Sequence, residues 1–176
     1  FIHVDDHPAS PWARRALAIL GESEGTASSL PVGRVMTLSG PMGAGKGTLL
    51  ERLLKRPEAR NLFKAVSWTT RQRAKGEKVE WDHLFVSEKQ FQALVDQGGI
   101  LEHVQLPLGR YGTPRFALWM AQLGVDVIFE VEQQGVGTIR KICEKLGIEV
   151  MSFYLLPAAA VDPLGQLDMI VSQLTR

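Results

Sequence analysis

Gly40-Pro41-Met42-Gly43-Ala44-Gly45-Lys46-Gly47-Thr48 is the stretch on which the fold turns. Before it runs Val35-Met36-Thr37-Leu38, an apolar segment of the length of a buried strand. After it, Leu49-Leu50-Glu51-Arg52-Leu53-Leu54-Lys55 repeats leucine at helical spacing. Strand, glycine-rich turn and helix together form the context in which a loop binds phosphate. Glycines let the backbone turn tightly and approach an anion with no Cβ in the way. The N–H groups at the helix start then point at that anion, and the helix dipole favours it. Lys46 adds a mobile positive charge for the outer phosphates. A glycine-rich turn alone is compatible with a purely structural role; the lysine in register and both flanking elements select phosphate binding.

Gly47 stands where such loops carry a Ser or Thr whose hydroxyl reaches Mg²⁺, and Thr48 follows it. Kinases similar to adenylate kinase also read Gly-Lys-Gly-Thr. A cation here is therefore expected to be held largely through water and phosphate, as Mg²⁺ readily allows.

Moving outward from the loop, the first 33 residues read as an extension, with a short helix after Pro11 and a flexible linker over 21–29. His3, Asp5, Asp6 and His7 could be drawn as a metal cluster, but a solvated stretch is the simpler reading and no function is assigned to it. Beyond the loop helix, Phe63–Trp68 reads as a strand and Thr69–Lys78 as a polar, basic loop. That loop is either solvated surface or a cationic clamp on a second phosphate. His83–Val86 is a short expected strand. Ser87 and Gln90 form a capping box for a helix carrying Phe91, Leu94 and Val95, which ends at Gly98-Gly99.

Ile100–Leu106 alternates as a strand with one wet face, which sends Glu102 and His103 to opposite sides. Gly109–Thr113 reads as a turn, with Pro114 opening a helix that carries Phe116, Leu118, Trp119 and Leu123 as far as Gly124. Val125–Glu132 is a buried strand ending with Glu130 and Glu132 on one face. A helix through Ile139, Ile142 and Leu146 follows, and Glu149–Leu156 is a third buried strand. This succession predicts an α/β fold, a parallel sheet with helices on both faces. Ligands of such sheets sit beyond the carboxyl ends of the strands, where the phosphate loop and Glu130/Glu132 should converge.

Composition limits the alternatives. With 176 residues the chain is expected to form one domain or a core with a small insertion. A net charge of +1 gives no electrostatic case for nucleic acid or an anionic membrane as the main partner. Cys143 is the only cysteine, which excludes an internal disulfide and fits a reducing, cytoplasmic setting. No apolar run approaches a membrane span. Starting at Phe1, the sequence is expected to lie within a longer chain, which leaves an upstream targeting segment open. Oligomeric state is not legible.

Taken in order, the motifs from Gly40 to about Leu156 resemble guanylate kinase. After the phosphate loop come Ser67-Trp68-Thr69-Thr70-Arg71, Phe85-Val86-Ser87, Ile100-Leu101-Glu102, Tyr111-Gly112-Thr113 and Glu130-Val131-Glu132-Gln133-Gln134-Gly135. The resemblance implies a phosphate-loop kinase domain over 34–176, with a small inserted mixed α+β subdomain at 67–113 that binds a nucleoside monophosphate. It implies ATP on Gly40, Gly43, Ala44, Gly45, Lys46, Gly47 and Thr48, and GMP on Ser67, Arg71, His83, Glu102, Tyr111, Thr113 and Glu132. Lys46 and Arg71 would be catalytic, and Mg²⁺ would accompany ATP near Thr48 and Glu130.

Within this scheme a carboxylate at Glu102 would accept hydrogen bonds from guanine N1–H and the N2 amino group, which adenine does not offer. Ser67 and Thr113 would contact the guanine carbonyl edge, while Arg71 and Tyr111 bind the GMP phosphate.

The chain also departs from the family. A second phosphate-binding arginine is replaced by Ala74, a phosphate-contacting tyrosine by His83, and two aspartates by Glu130 and Glu132. Imidazole in place of phenol predicts weaker GMP binding that falls between pH 6 and 8. After 157 the arginine-rich lid of the family is missing, or is lost between joined segments of a longer chain. Leu167–Ser172 then reads as the family's last strand. Two rival readings stand beside the kinase: a relative acting on ribose 1,5-bisphosphate, and a non-catalytic guanylate-kinase-like module that binds protein.

Overall fold

Apolar runs become strands and leucine-spaced runs become helices. In chain order they are β1 (Val35–Ser39), α1 (Lys46–Leu53), β2 (Leu62–Ala65), β3 (Trp68–Thr69), β4 (Leu84–Phe85), α2 (Glu88–Asp96), β5 (Ile100–Leu106), β6 (Gly109–Pro114), α3 (Phe116–Gln122), β7 (Asp126–Glu130), α4 (Gln133–Lys145), β8 (Val150–Tyr154) and α5 (Pro163–Leu174). This computed structural model describes residues 32–77, 82–156 and 163–174. The expectations for the extension up to residue 31 and for the segment 157–162 lie outside the described residues.

Four strands form a wholly parallel sheet in the order β2-β7-β1-β8. Its two faces carry separate cores. On one, Phe63, Ala65, Val127 and Phe129 meet Ala117, Leu118 and Ala121 of α3 and Ile139 and Cys143 of α4. On the other, Met36, Leu38, Leu62 and Ile128 meet Leu49, Leu50 and Leu53 of α1 and Leu167 and Ile170 of α5. Strands buried on both faces need apolar residues at every position, which is why β1 and β7 read as unbroken apolar runs. From β1 the chain crosses to one side of the sheet and from β7 to the other, so a crevice opens where these neighbours' carboxyl ends meet.

A second, mixed sheet, β4-β3-β6-β5, is inserted between β2 and β7 in the chain. β5 and β6 pair antiparallel, and β3 joins β6 antiparallel and β4 parallel. The capping box expected at Ser87 and Gln90 is present at the start of α2.

Several expected boundaries change. Gly109–Thr113 is not a turn but most of β6; the turn is Pro107-Leu108, and the glycines survive in the strand because it is packed closely on its neighbours. Pro114 accordingly closes β6 instead of opening α3. Phe63–Trp68 is divided between two sheets, because the chain leaves the parallel sheet after Ala65. The β7 strand stops at Glu130, and Glu132 is the N-cap of α4, outside the alternation that would pair the two. Trp119 and Leu123 are exposed, and α3 buries Ala117, Leu118, Met120 and Ala121 instead. The β8 strand lies at the sheet edge and is only partly buried. Leu167–Ser172 belongs to helix α5: Leu167, Ile170, Val171 and Leu174 follow helical spacing and face the α1 side of the sheet.

Candidate functional site

The loop between β1 and α1 takes the shape its glycines permit. Gly43 and Gly45 have φ of 79° and 90°, and a Cβ on Gly40 would stand 2.5 Å from the Leu155 carbonyl oxygen beyond β8. Lys46 is the first residue of α1, and its Nζ donates to the carbonyl oxygens of Gly40 (2.8 Å) and Pro41 (3.2 Å). The ammonium is thus folded across the loop, in the position that an entering phosphate would compete for. Ala44 is half-buried, Gly47 and Thr48 are exposed on the first turn, and nothing lies within 4 Å of a Cβ built on Gly47.

Across the crevice, the second sheet aims Arg71. Thr69 Oγ1 donates to the Arg110 carbonyl (2.9 Å), and the Arg110 amide donates to Thr70 Oγ1 (2.9 Å). These bonds lock the end of β3 to β6 and fix where the next residue begins. From there the Arg71 guanidinium donates Nε–H to the Tyr111 hydroxyl (2.8 Å) and both terminal nitrogens to the carboxylate of Glu77. Its face lies 5.3 Å from the centre of the Phe85 ring. The Arg71 fork, reinforced by a bond from the Ala74 amide, holds the Glu77 carboxyl down to about 2 and raises the guanidinium's own pKa further.

His83 sits beside this group with its ring edge-on to Tyr111 at 5.5 Å. Burial, followed by the charges of Arg71 and Lys64, holds its pKa down to about 4. The imidazole is therefore neutral throughout pH 6–8, and the pH dependence expected from its titration in that range does not arise in this structure. Its Nδ1 is buried and has no hydrogen-bond partner among the described residues.

Glu102 projects from β5 on the side opposite exposed His103, and its carboxylate accepts a hydrogen bond from Thr113 Oγ1 of β6. A Cβ on Gly135 would stand 3.1 Å from the Glu102 carboxyl carbon, so the start of α4 is shaped around that carboxylate. Ser67 lies between β2 and β3. Lys46, Ser67, Arg71, His83, Glu102, Tyr111, Thr113, Glu130 and Glu132 all line a single cavity of about 890 Å³. Of the loop, Met42 and Lys46 reach that lining, whereas Thr48 does not.

Among the described residues no group of three His, Cys, Asp or Glu could cage a metal. The available oxygens, Thr48 and Glu130, suit a cation that keeps most of its water and binds mainly through phosphate, as Mg²⁺ does.

Two cavity residues escaped the sequence reading. Glu77 is the single acid in the basic loop, and its sign was the available signal. Lys64 is a lysine within the apolar run of β2, only 7% exposed. A charge at a core-facing strand position is the pattern that marks it.

Residues 32–159 match the family model described as guanylate kinase. The chain is 40% identical over 131 residues to a guanylate kinase of Nitrobacter winogradskyi, covering 74% of this chain and 58% of that protein. It is 38% identical over 112 residues to a guanylate kinase of Clostridioides difficile, covering 63% of this chain and 54% of the relative. The chain thus spans little more than half the length of these curated relatives. The crystal structure of guanylate kinase from Anaplasma phagocytophilum superposes with a TM-score of 0.59 at 27% identity, over 82% of this chain and 73% of that one.

Proposed function

This chain belongs to the guanylate kinase family, and from that premise we propose that it binds ATP and GMP in the one cavity and phosphorylates GMP to GDP. The observation that carries the reading is the convergence of a phosphate loop, an arginine–tyrosine pair and a threonine-anchored carboxylate on one space. ATP would lie on Gly40–Thr48 with Lys46 leaving its carbonyls for the outer phosphates. GMP would lie on the second sheet, its phosphate on Arg71 and Tyr111, its base on Glu102 and Thr113, with Ser67, His83 and Glu132 completing the lining.

In the reaction an oxygen of the GMP phosphate bonds to the γ-phosphorus of ATP as the bond to the β,γ-bridging oxygen breaks, releasing ADP. No proton need leave a hydroxyl, so the protein's part is alignment and positive charge. Lys46 and Arg71 supply charge from opposite sides of the cavity. Mg²⁺ accompanying ATP, near Thr48 and Glu130, would neutralise the phosphate oxygens. Two carboxylate oxygens on Glu102 match the two N–H donors of guanine, and Thr113 holds the group in place.

A coupled assay of ADP release tests this with ATP and each of GMP, AMP and ribose 1,5-bisphosphate. Turnover is expected with GMP in strong preference to the others. Glu102→Gln should lower kcat/KM for GMP by about 100-fold, because one acceptor becomes a donor facing a donor. Preference for ribose bisphosphate would transfer the reading to that class. Failure with all three would leave the protein-binding module.

A further inference from the structure

A lysine inside a sheet demands an explanation, because burying an ammonium is costly unless other charges meet it. Lys64 is such a lysine, 7% exposed on β2. Its neighbours Phe63 and Ala65 enter the core beneath α3 and α4, while Leu62 enters the core beneath α1. By alternation Lys64 shares the face of Leu62, which is the face of the phosphate loop's helix. Lys64 pairs with Ile128 on β7, and Glu130 follows two residues later on that same face. Lys64 lines the cavity together with Lys46, Arg71, His83 and Glu130.

The electrostatics agree with this placement. Burial lowers the Lys64 pKa, while Glu130 and Asp82 oppose that shift and favour the ammonium. Lys64 and Arg71 both act on His83, so that imidazole lies within electrostatic reach of two cations carried by different sheets. Both terminal nitrogens of Arg71 are already engaged by Glu77. A phosphate dianion entering between Arg71 and His83 therefore meets a guanidinium whose charge is half-spent, and gains most from a second cation. An ion pair serving stability alone gains nothing from opening onto a cavity, and an apolar side chain would fill the sheet at lower cost. Mounting within the sheet also makes the Lys64 ammonium a preorganised charge, whereas the Lys46 ammonium is folded onto the Gly40 and Pro41 carbonyls and must leave them first.

We propose that Lys64 is a phosphate-contacting residue of the acceptor site, donating to the acceptor nucleotide's phosphate from the side opposite Arg71. Its charge offsets the repulsion between acceptor and donor phosphates brought together in the cavity. This deepens the kinase reading and rests on it for the identity of the acceptor.

The test is calorimetric titration of the full chain with GMP and with guanosine, for the parent protein, Lys64→Met and Lys64→Arg, alongside turnover with ATP. Lys64→Met should weaken GMP binding by 10-fold or more while leaving guanosine affinity unchanged. Lys64→Arg should retain part of the GMP affinity. Equal GMP affinity in Lys64→Met and the parent overturns the proposal, and so does an equal loss for guanosine and GMP, which marks a structural role. If the parent binds GMP without turning it over, the kinase reading fails, while a selective loss in Lys64→Met still supports the phosphate contact. If Lys64→Met fails to fold, the arginine variant decides, since preserved charge with GMP affinity as low as that for guanosine overturns the contact.

Discussion

At the scale of single residues, Arg71 and Glu77 share one fork, and their union sets an acid limit on stability. The Glu77 carboxyl has its pKa lowered to about 2 from an ordinary 4.5, first through hydrogen bonds from Arg71. A depressed folded-state value means the stabilisation is complete above the ordinary carboxylate range and drains away as pH falls toward 2. Glu77→Gln removes that term. Urea midpoints followed against pH should show the variant less stable than the parent at neutral pH, with the two curves converging between about 4.5 and 2. Parallel curves would show that the pair does not carry this linkage. Arg71, Glu102 and Tyr111, which line the cavity, could be singled out from sequence because each stands in a short motif. Glu77 and Lys64 were not, because a lone charge acquires meaning only from what surrounds it: a guanidinium in one case, a carboxylate-flanked cavity in the other.

At the scale of elements, the β5–β6 hairpin is what presses Arg71 into place. Gly109, with φ of 150°, brings β6 so near the β3 end that a Cβ there would stand 2.6 Å from the Arg71 backbone nitrogen. Gly109→Ala must part the two segments, so a loss of about 1–3 kcal/mol in denaturant stability is expected. An accompanying rise in KM for GMP, with KM for ATP unchanged, would localise the damage to Arg71. The same close approach explains why the segment misled sequence reasoning: Gly109 and Gly112 carry turn composition, yet one makes room for the Arg71 backbone and the other for the Ile100 and Phe91 side chains. Helix α5 was misread for the opposite reason. Its Leu167-Asp168-Met169-Ile170-Val171 core is rich enough in apolar residues to imitate a strand, while the i, i+3, i+4, i+7 spacing through Leu174 carried the helical signal.

At the scale of the whole molecule, the parallel sheet is tied at the end remote from the cavity. Asp126, at the start of β7, accepts from the Arg34 amide (2.8 Å) and guanidinium (2.6 Å), and Arg34 also donates to the Leu174 carbonyl of α5 (3.2 Å). One ion pair thus joins two central strands to the last described helix. Asp126→Ala leaves the guanidinium in a largely enclosed site without this carboxylate, and a cost of about 3 kcal/mol is expected by denaturant unfolding. Because the pair lies at the opposite strand ends from the cavity, KM for GMP should stay within twofold of the parent; a large change would reveal coupling along the sheet.

From sequence alone came the glycine-rich loop, the parallel sheet, the capping box and the ordered guanylate kinase motifs, since each is written in local spacing or in a short ordered pattern. Tertiary structure decided which charges oppose one another. It folded Lys46 onto its own loop, clamped Arg71 with Glu77, neutralised His83 by burial, and turned Lys64 from an anomaly in an apolar strand into a cation at the cavity wall. The physical reason is that backbone periodicity is set by neighbours in the chain. The energy of a charge depends instead on desolvation and on other charges, which only folding brings near.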